Sequence, residues 1–425
     1  MGFVNKLVQP IGGLLQNVVP IPSLPGEPSY HVYSGIMGNL SHVIPTIAFS
    51  IDGAGNSTLE EEAKRKAIAE TVERYSSCMY NEKQMIWATG RELGEEALDL
   101  DMIPRCSDKE LLHPRCPLIK PDKDLPLRWV RGISLTHKRS VWLPAIMVYL
   151  NFEIMSKGEK IWLPISTGCA AHTTLEQALL GAICEVIERD AIAITWLQQL
   201  ELPKISVDSY PQWVQPYLEN LDRNKYIQQI FYDATSDLEI PTLYSIQLAP
   251  HNRQLTTMVM CSTELNPYHS FTKLMKESAS SRIALQNGLK HPENLDDFIK
   301  VYDGATYMGA PERASAYHFL LQTSKNKKIS EMKNIETGNP KKDLVELVKR
   351  LEEKGHEVFA LDLTTDEARR ANLHIVRVII PTLMPLSFSY RARFLGTPRL
   401  YEAPRLNGYP IRMEEEINIW PQPFA

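Results

Sequence analysis

"GAICEVIERDAIAITWL", residues 181–197, is an apolar run interrupted by Glu185, Glu188, Arg189 and Asp190. Placed on a helix, Ala182, Ile183, Cys184, Val186, Ile187, Ala191, Ile192, Ala193 and Ile194 cover nearly its whole circumference. A helix apolar nearly all round lies inside a protein rather than on its surface. Charges carried into that interior need partners, because burying an unpaired charge is expensive. One arginine does not neutralise three carboxylates, so the excess negative charge requires an explanation. The same charges make a membrane span unfavourable.

The stretch has an earlier counterpart. "TLEEEAKRKAIAETVERYSS", starting at Thr58, and "TLEQALLGAICEVIERDAIA", starting at Thr174, align on their glutamates. Ala63 then matches Ala178, Ala67 matches Ala182 and Ile68 matches Ile183, and the pattern E-x-x-E-R falls in both as Glu70, Glu73, Arg74 and Glu185, Glu188, Arg189. Each copy follows a strand-like segment with a Gly turn, at Gly53–Gly55 and at Gly168. Each also opens on a candidate capping box, Thr58 with Glu61 and Thr174 with Gln177. A single E-x-x-E-R is ordinarily a surface ion pair worth a few tenths of a kcal/mol. Two copies, one of them in a buried helix, predict a pseudo-symmetric pair facing one volume.

Glutamates three apart share a helix face, so the two helices can bring Glu70, Glu73, Glu185 and Glu188 together. Hard carboxylate oxygens of this kind suit Mg²⁺, which is usually shared with substrate phosphates. The chain has no G-x-x-x-x-G-K-[ST] loop, so the pattern points to a metal–nucleotide site of another design.

The rest of the chain reads as mixed α and β. "RWVRGISL" and "SVWLPAIMVYLNF" flank "THKR" as a hairpin, and "IPTLYSIQLAP" with "LTTMVMCSTEL" form a second strand pair. "HSFTKLMKESASSRIALQNG" and "KKDLVELVKRLEEKG" have helical spacing and glycine stops, and "EVFALDLT" and "HIVRVIIPTL" are strand-like. Residues 20–35 read as a Pro- and Ser-rich lead-in and 324–340 as a solvated linker. The tail "INIWPQPFA" holds two prolines and is expected to be extended.

With 425 residues, 44% of them hydrophobic, the chain can bury a full core. A net charge of −5 gives no basis for general nucleic-acid binding. The prolines and glycines of the first residues argue against a signal peptide, and Lys6 against myristoylation, which makes a cytoplasmic location the expectation. Six cysteines without a C-x-x-C pair suggest reduced thiols rather than disulfides or zinc, and Cys106, His113 and Cys116 read as a loop.

These segments resemble the YcaO family over roughly residues 45–425. The resemblance rests on "GAGNSTLEEEAKRKAIAETVERYSS", "VWLPAIMVYL", "ISTGCAAHTTLEQALLGAICEVIERDA", "KESASSRIALQNG", "VFALDLT", "LHIVRVIIPTLMPL" and "WPQPFA", in that order. It implies an α+β fold of mixed and antiparallel sheets packed with helices, with an internal pseudo-repeat around an ATP site. It divides the chain into a lead-in, 1–44, and a catalytic domain, 45–425. It further implies ATP and Mg²⁺ as cofactors, Mg²⁺ on Glu70, Glu73, Glu185 and Glu188, and phosphate contacts from Arg189 and Arg282.

Thr173 and Gln177 fall at positions that line the nucleotide in the family, although Gln177 serves equally as the partner of Thr174 in a helix cap. His172 replaces a common Gly, Ala54 replaces the Lys of a Gly-Lys-Gly turn, and Thr173 stands where Asn is frequent. Members that form azoline rings often end in alternating prolines; Pro421 and Pro423 fit that pattern and make the terminal carboxylate of Ala425 a candidate for proton transfer.

The implied activity is ATP-dependent cyclodehydration of Cys, Ser or Thr in a ribosomal precursor peptide. The expected partners are a leader-peptide-binding protein resembling a ubiquitin-activating enzyme and a flavin-dependent azoline dehydrogenase, with no membrane or nucleic acid; a homodimer remains open. The rival expectations are thioamide or amidine formation, and a catalytically inactive peptide-binding scaffold.

Overall fold

The computed structural model describes residues 4–9, 11–40, 51–286 and 288–424. Its strands, numbered along the chain, fall into three sheets. The first is antiparallel and contains β1 (Leu15–Ile21), β2 (His31–Met37) and β3 (Gly53–Ser57). The stretch expected to be a lead-in therefore supplies two strands, and Pro22, Pro25 and Pro28 sit in the connection between them, where no ladder hydrogen bond is lost.

Gly53 and Gly55 are not a turn. They lie within β3, where the absence of a side chain lets the strand press against the helix Glu60–Cys78. A Cβ on Gly55 would stand 2.1 Å from the Ala63 carbonyl oxygen and 2.3 Å from the Ala67 nitrogen. Thr71 ties the same contact, accepting from the Gly53 N–H at 3.1 Å and donating to the Ala67 carbonyl at 2.7 Å. Because the chain leaves β3 two residues before the helix, Ser57 takes over the start: its hydroxyl accepts from the Leu59 N–H at 3.2 Å and donates to Glu62 at 2.7 Å. The expected Thr58–Glu61 capping box does not form, and Leu59 is the N-cap residue.

The second sheet runs in the order β4 (Met85–Ala88), β5 (Leu127–Ser134), β13 (Phe359–Asp362), β14 (His374–Ile379) and β7 (Cys169–His172), with β6 (Arg139–Pro144) paired to β5. All its pairs are antiparallel. The hairpin β5–β6 is as expected, but the apolar run after Pro144 turns into a short helix, Ala145–Val148. Gly168, at φ +83°, makes the sharp entry into β7.

The third sheet has the order β11 (Thr257–Thr263), β10 (Thr242–Leu248), β9 (Gln228–Asp233), β8 (Lys204–Ser206) and β12 (Asn326–Lys328). β12 pairs in parallel with β8, so part of the segment expected to be a linker is a strand.

The helix Leu175–Gln198 is buried between these layers, as its composition predicts: Ala182, Ile183 and Ile187 pack with Leu347 and Leu351 of the Pro340–Glu353 helix and with Val376 and Val378 of β14. Its start carries no side-chain cap on the backbone; the Thr174 hydroxyl donates to the Gln177 side-chain oxygen at 2.8 Å instead. Among the described residues no helix is long and apolar enough to cross a membrane.

The extended tail is built into the molecule. Trp196 Nε1 donates to the Trp420 carbonyl at 3.1 Å, the Asn418 N–H donates to the Leu197 carbonyl at 2.9 Å, and Phe424 is buried edge-on against Tyr244 at 5.4 Å. Gly304 lies so close that a Cβ there would stand 1.9 Å from the Gln422 carbonyl oxygen.

The strand–helix contact through Gly55 sets the position of the first E-x-x-E-R motif. Gly55→Ala is expected to lower the unfolding free energy by about 2 kcal/mol or more, because the clash is with backbone rather than with a movable side chain. Chemical denaturation followed by circular dichroism measures it.

Candidate active site

The two motif helices meet their sheets in the same way. In the first, Glu70 accepts from the Ala54 N–H of β3 at 2.9 Å and from Arg74 at 2.6 Å. In the second, Glu185 accepts from the Gly168 N–H at 3.0 Å and from Arg189 at 3.3 Å. Each leading glutamate is thus held by the backbone just before its own helix and by the arginine one turn further on. The trailing glutamates reach outward to the next strand: Glu73 accepts from the Ala171 backbone of β7, and Glu188 from the Thr263 N–H of β11 at 3.0 Å. The repeat is therefore a chain of strand-to-helix hydrogen bonds that fixes carboxylates to rigid backbone.

These carboxylates feel one another. Burial pushes the Glu73 carboxyl up to about 8, and the neighbouring charges of Glu185 and Glu70 add to the rise. Burial likewise raises Glu185, with Arg189 opposing and Glu188 adding to it. Glu70 and Glu73 thus share an electrostatic environment with Glu185 and Glu188, as the sequence repeat requires.

Three further acidic or basic groups join them from the Pro267–Gln286 helix and the connection leading into it. Lys273 Nζ lies 3.6 Å from Glu188 and 3.4 Å from Glu264. Glu277, one turn after Lys273, is pushed up to about 7 by burial, with Lys273 opposing and Glu188 and Glu264 adding to the rise. None of these three belongs to an E-x-x-E-R pattern, which is why sequence comparison of the two motifs missed them. The signal available was the i,i+4 pair of Lys273 and Glu277 on a helix with a buried face.

Asp190 is not part of this cluster. It receives the Met384 N–H at 2.8 Å and pairs with Arg399 at 2.9 Å, and Arg399 in turn reaches Asp237 at 2.8 Å. The excess of carboxylates over cations read from residues 181–197 is thus reduced by Lys273 and Arg399, both distant in sequence. Removing one member of the buried Asp190–Arg399 pair would leave a charge stranded at a cost of about 3–5 kcal/mol.

The remaining candidate residues are placed differently. Arg189 leaves its Nε buried without a partner, an unspent donor beside Glu185. Thr173 is exposed, with its hydroxyl 3.3 Å from His172 Nδ1, and Gln177 is engaged by Thr174. Arg282 is fully buried and held by Glu27, through Nη2 at 3.0 Å and a second short contact from Nε, with Nη2 also 3.3 Å from the Leu255 carbonyl. A phosphate at Arg282 would therefore have to use its unpartnered Nη1 or displace Glu27. Ala425 lies outside the described residues.

Among the described residues no three His, Cys, Asp or Glu side chains are gathered closely enough to chelate an ion by themselves. Cys106 and Cys116 are free thiols, and the stretch between them, expected to be a loop, holds a short helix, Asp108–Leu112, opened by a capping box of Ser107 and Glu110. The glutamate cluster nevertheless fits Mg²⁺: it offers hard oxygen donors in a buried setting that, with Glu185 and Glu70 nearby, pushes the Glu73 carboxyl up to about 8, and Mg²⁺ is usually held by one or two carboxylates completed by water and phosphate.

Residues 54–384 match the family described as YcaO cyclodehydratase, ATP- and Mg²⁺-binding. The chain belongs to the YcaO family. Its fold agrees: a heterocyclase in complex with substrate and cofactor superposes with a TM-score of 0.80 at 22% identity, covering 98% of this chain and 56% of that one. The present YcaO chain thus spans little more than half of that heterocyclase. The YcaO protein of Methanopyrus kandleri bound with AMPPCP and Mg²⁺ gives a TM-score of 0.61 at 17% identity, with 87% of this chain and 86% of that one covered. The E. coli microcin synthetase McbBCD complex with pro-MccB17 bound gives 0.64 at 15% identity, with coverages of 98% and 99%. At these identities the similarity establishes the YcaO fold.

The burial of Glu73 beside Glu185 and Glu70 makes a pH prediction. Its folded-state pKa is raised above that of the unfolded chain, so the native state holds a proton that the unfolded state has released between pH about 4.5 and about 8. Stability of the metal-free protein is therefore expected to fall as pH rises through that window. Melting temperatures between pH 5 and 9 should show the slope, and Glu73→Gln should flatten it.

Proposed function

We propose that this YcaO protein is an ATP- and Mg²⁺-dependent cyclodehydratase that converts Cys, Ser or Thr of a ribosomal precursor peptide into thiazoline or oxazoline. The observation that carries the reading is the double motif, with four glutamates fastened to backbone N–H groups and aimed at a shared environment. Residues 45–425 are the proposed catalytic domain, with β1 and β2 from residues 1–44 built onto its first sheet.

In the proposed reaction the peptide side chain attacks the preceding carbonyl, ATP supplies the phosphoryl group that turns the resulting oxyanion into a leaving group, and Mg²⁺ screens the triphosphate. Glu70, Glu73, Glu185 and Glu188 are the proposed metal-holding residues. Their backbone anchors keep the carboxylates in place before the ligand arrives, so little reorganisation is needed on binding. Arg189 and Arg282 are the proposed phosphate contacts, and the spare N–H groups of both support that assignment. Thr173 and Gln177 are the proposed nucleotide-lining residues. The protein's contribution is then positioning and charge neutralisation rather than covalent chemistry.

The azoline class is favoured by the tail. Phe424 packs on Tyr244, Tyr244 pairs across the ladder with Cys261, and Cys261 feels the charge of Glu188. Phe424 is thus linked through Tyr244 and Cys261 toward the acidic cluster, which supports the Ala425 carboxylate as the proposed proton-transfer group. A separate leader-binding protein resembling a ubiquitin-activating enzyme is the proposed source of the peptide, and a flavin-dependent dehydrogenase the proposed oxidant of the rings. A cytoplasmic setting is proposed with them.

Mass spectrometry of a precursor peptide incubated with this chain, the leader-binding partner, ATP and Mg²⁺ is expected to show the loss of one water per ring. Exchange of oxygen for sulfur would indicate thioamide formation instead, and addition of an amine with loss of water would indicate an amidine. Glu188→Ala is expected to slow ring formation by about a hundredfold or more; undiminished ring formation would favour a scaffold role. Deleting residues 423–425 should reduce ring formation while leaving AMPPCP binding, followed by calorimetry, within about threefold of the full chain.

A further inference from the structure

Lys273 is the cation at the centre of the acidic cluster that neither motif contains. It projects from the Pro267–Gln286 helix with its ammonium between Glu188 and Glu264, at 3.6 and 3.4 Å. Both separations exceed the 2.7–3.2 Å of a typical N–H···O hydrogen bond. The contacts are electrostatic and leave the ammonium's three donors uncommitted. The side chain is 29% exposed, so those donors are reachable from outside.

The charges around it define what it can do. Glu70 and Glu185 each have an arginine of their own, Arg74 and Arg189. Glu188 and Glu264 have no such arginine and share Lys273, which also faces Glu277 one turn along its own helix. The four carboxylates Glu188, Glu277, Glu264 and Glu185 keep it charged against the partial desolvation of its surroundings. If Glu188 is taken up by a divalent cation, as the proposed function holds, the ammonium loses one of its two flanking carboxylates and is repelled by the ion that takes it. An anion within reach of three free donors is then the favourable partner, and a triphosphate bound to the same ion presents one.

We propose that Lys273 is a phosphate-binding residue of the nucleotide site, resting between Glu188 and Glu264 in the empty protein and exchanging them for a phosphate oxygen when the metal–nucleotide enters. The inference rests on the ATP-site reading above and adds to it a residue outside both E-x-x-E-R motifs. It makes the third helix a working wall of the site, because Lys273 and Glu277 lie one turn apart on it.

The test is AMPPCP binding by calorimetry at saturating Mg²⁺, paired with Mn²⁺ binding to the nucleotide-free protein by electron paramagnetic resonance. Lys273→Met is expected to weaken AMPPCP binding about tenfold, the loss of one charged hydrogen bond. Lys273→Arg should recover most of that loss. Mn²⁺ binding without nucleotide should stay unchanged or tighten, since a competing cation has been removed. AMPPCP affinity unaltered by Lys273→Met overturns the proposal and leaves the lysine a counter-ion. Failure of the unsubstituted protein to bind AMPPCP removes the ATP-site reading itself, which is a different result from equal binding by both proteins. Should Lys273→Met not fold, Glu264→Gln gives a second route: freeing the ammonium from one carboxylate is expected to tighten AMPPCP binding, and no change overturns the proposal.

Discussion

The structure turns on carboxylates held in a confined volume by backbone N–H groups. A glutamate on a free helix surface swings among rotamers and is paired, when paired at all, by a mobile cation. Here Ala54, Gly168 and Thr263 each donate a main-chain N–H to one carboxylate oxygen, and the Ala171 backbone does the same for Glu73. Backbone donors fixed in sheets cannot follow a carboxylate that moves away, so the negative charges stay together although they repel. Burial first, and the neighbouring carboxylates after it, raise the Glu73 and Glu185 carboxyls.

Confinement explains features of the fold that look unrelated. Gly55 is in β3 because only a strand without a side chain there lets the first motif helix lie close enough for Glu70 to reach Ala54. Gly168 adopts a left-handed backbone so that the chain can turn into β7 while its N–H points at Glu185. The apolar circumference of the second motif helix lets three layers close on it, and this burial is what makes its charges consequential. Asp190, on the same helix, shows the alternative outcome: with Arg399 and the Met384 N–H around it, it is fully compensated and structural.

Segments near both ends of the chain are tied to the elements that carry the site. Glu27, in the connection between β1 and β2, clamps Arg282 and also accepts from Gln286, so the segment before the family match is tied to the third helix. At the other end, Trp420 and Phe424 are locked against Trp196 and Tyr244. Glu27 and the tail residues 418–424 are therefore part of the framework on which the acidic cluster is mounted, and the tail's prolines serve an extended chain packed against the helix Leu175–Gln198 and β10.

What could be read from the residues alone was everything governed by local periodicity and repetition. The burial of residues 181–197, the pairing of Glu70 and Glu73 with Glu185 and Glu188, the hairpin around residues 136–139 and the helical spacing of residues 269–286 and 341–353 all follow from short-range pattern, as does the α+β class. The partners of the charges were not legible. Lys273, Glu264, Glu277, Arg399 and Glu27 reach the motifs from segments far away in sequence, and Coulomb attraction between side chains leaves no periodic trace along a chain. Likewise Gly53 and Gly55 read as a turn because glycine permits one, whereas the space for a strand against a helix exists only after the two have packed. Sequence determined which residues are acidic, buried and repeated; tertiary structure decided which cation answers each carboxylate, because that depends on distance in space rather than separation along the chain.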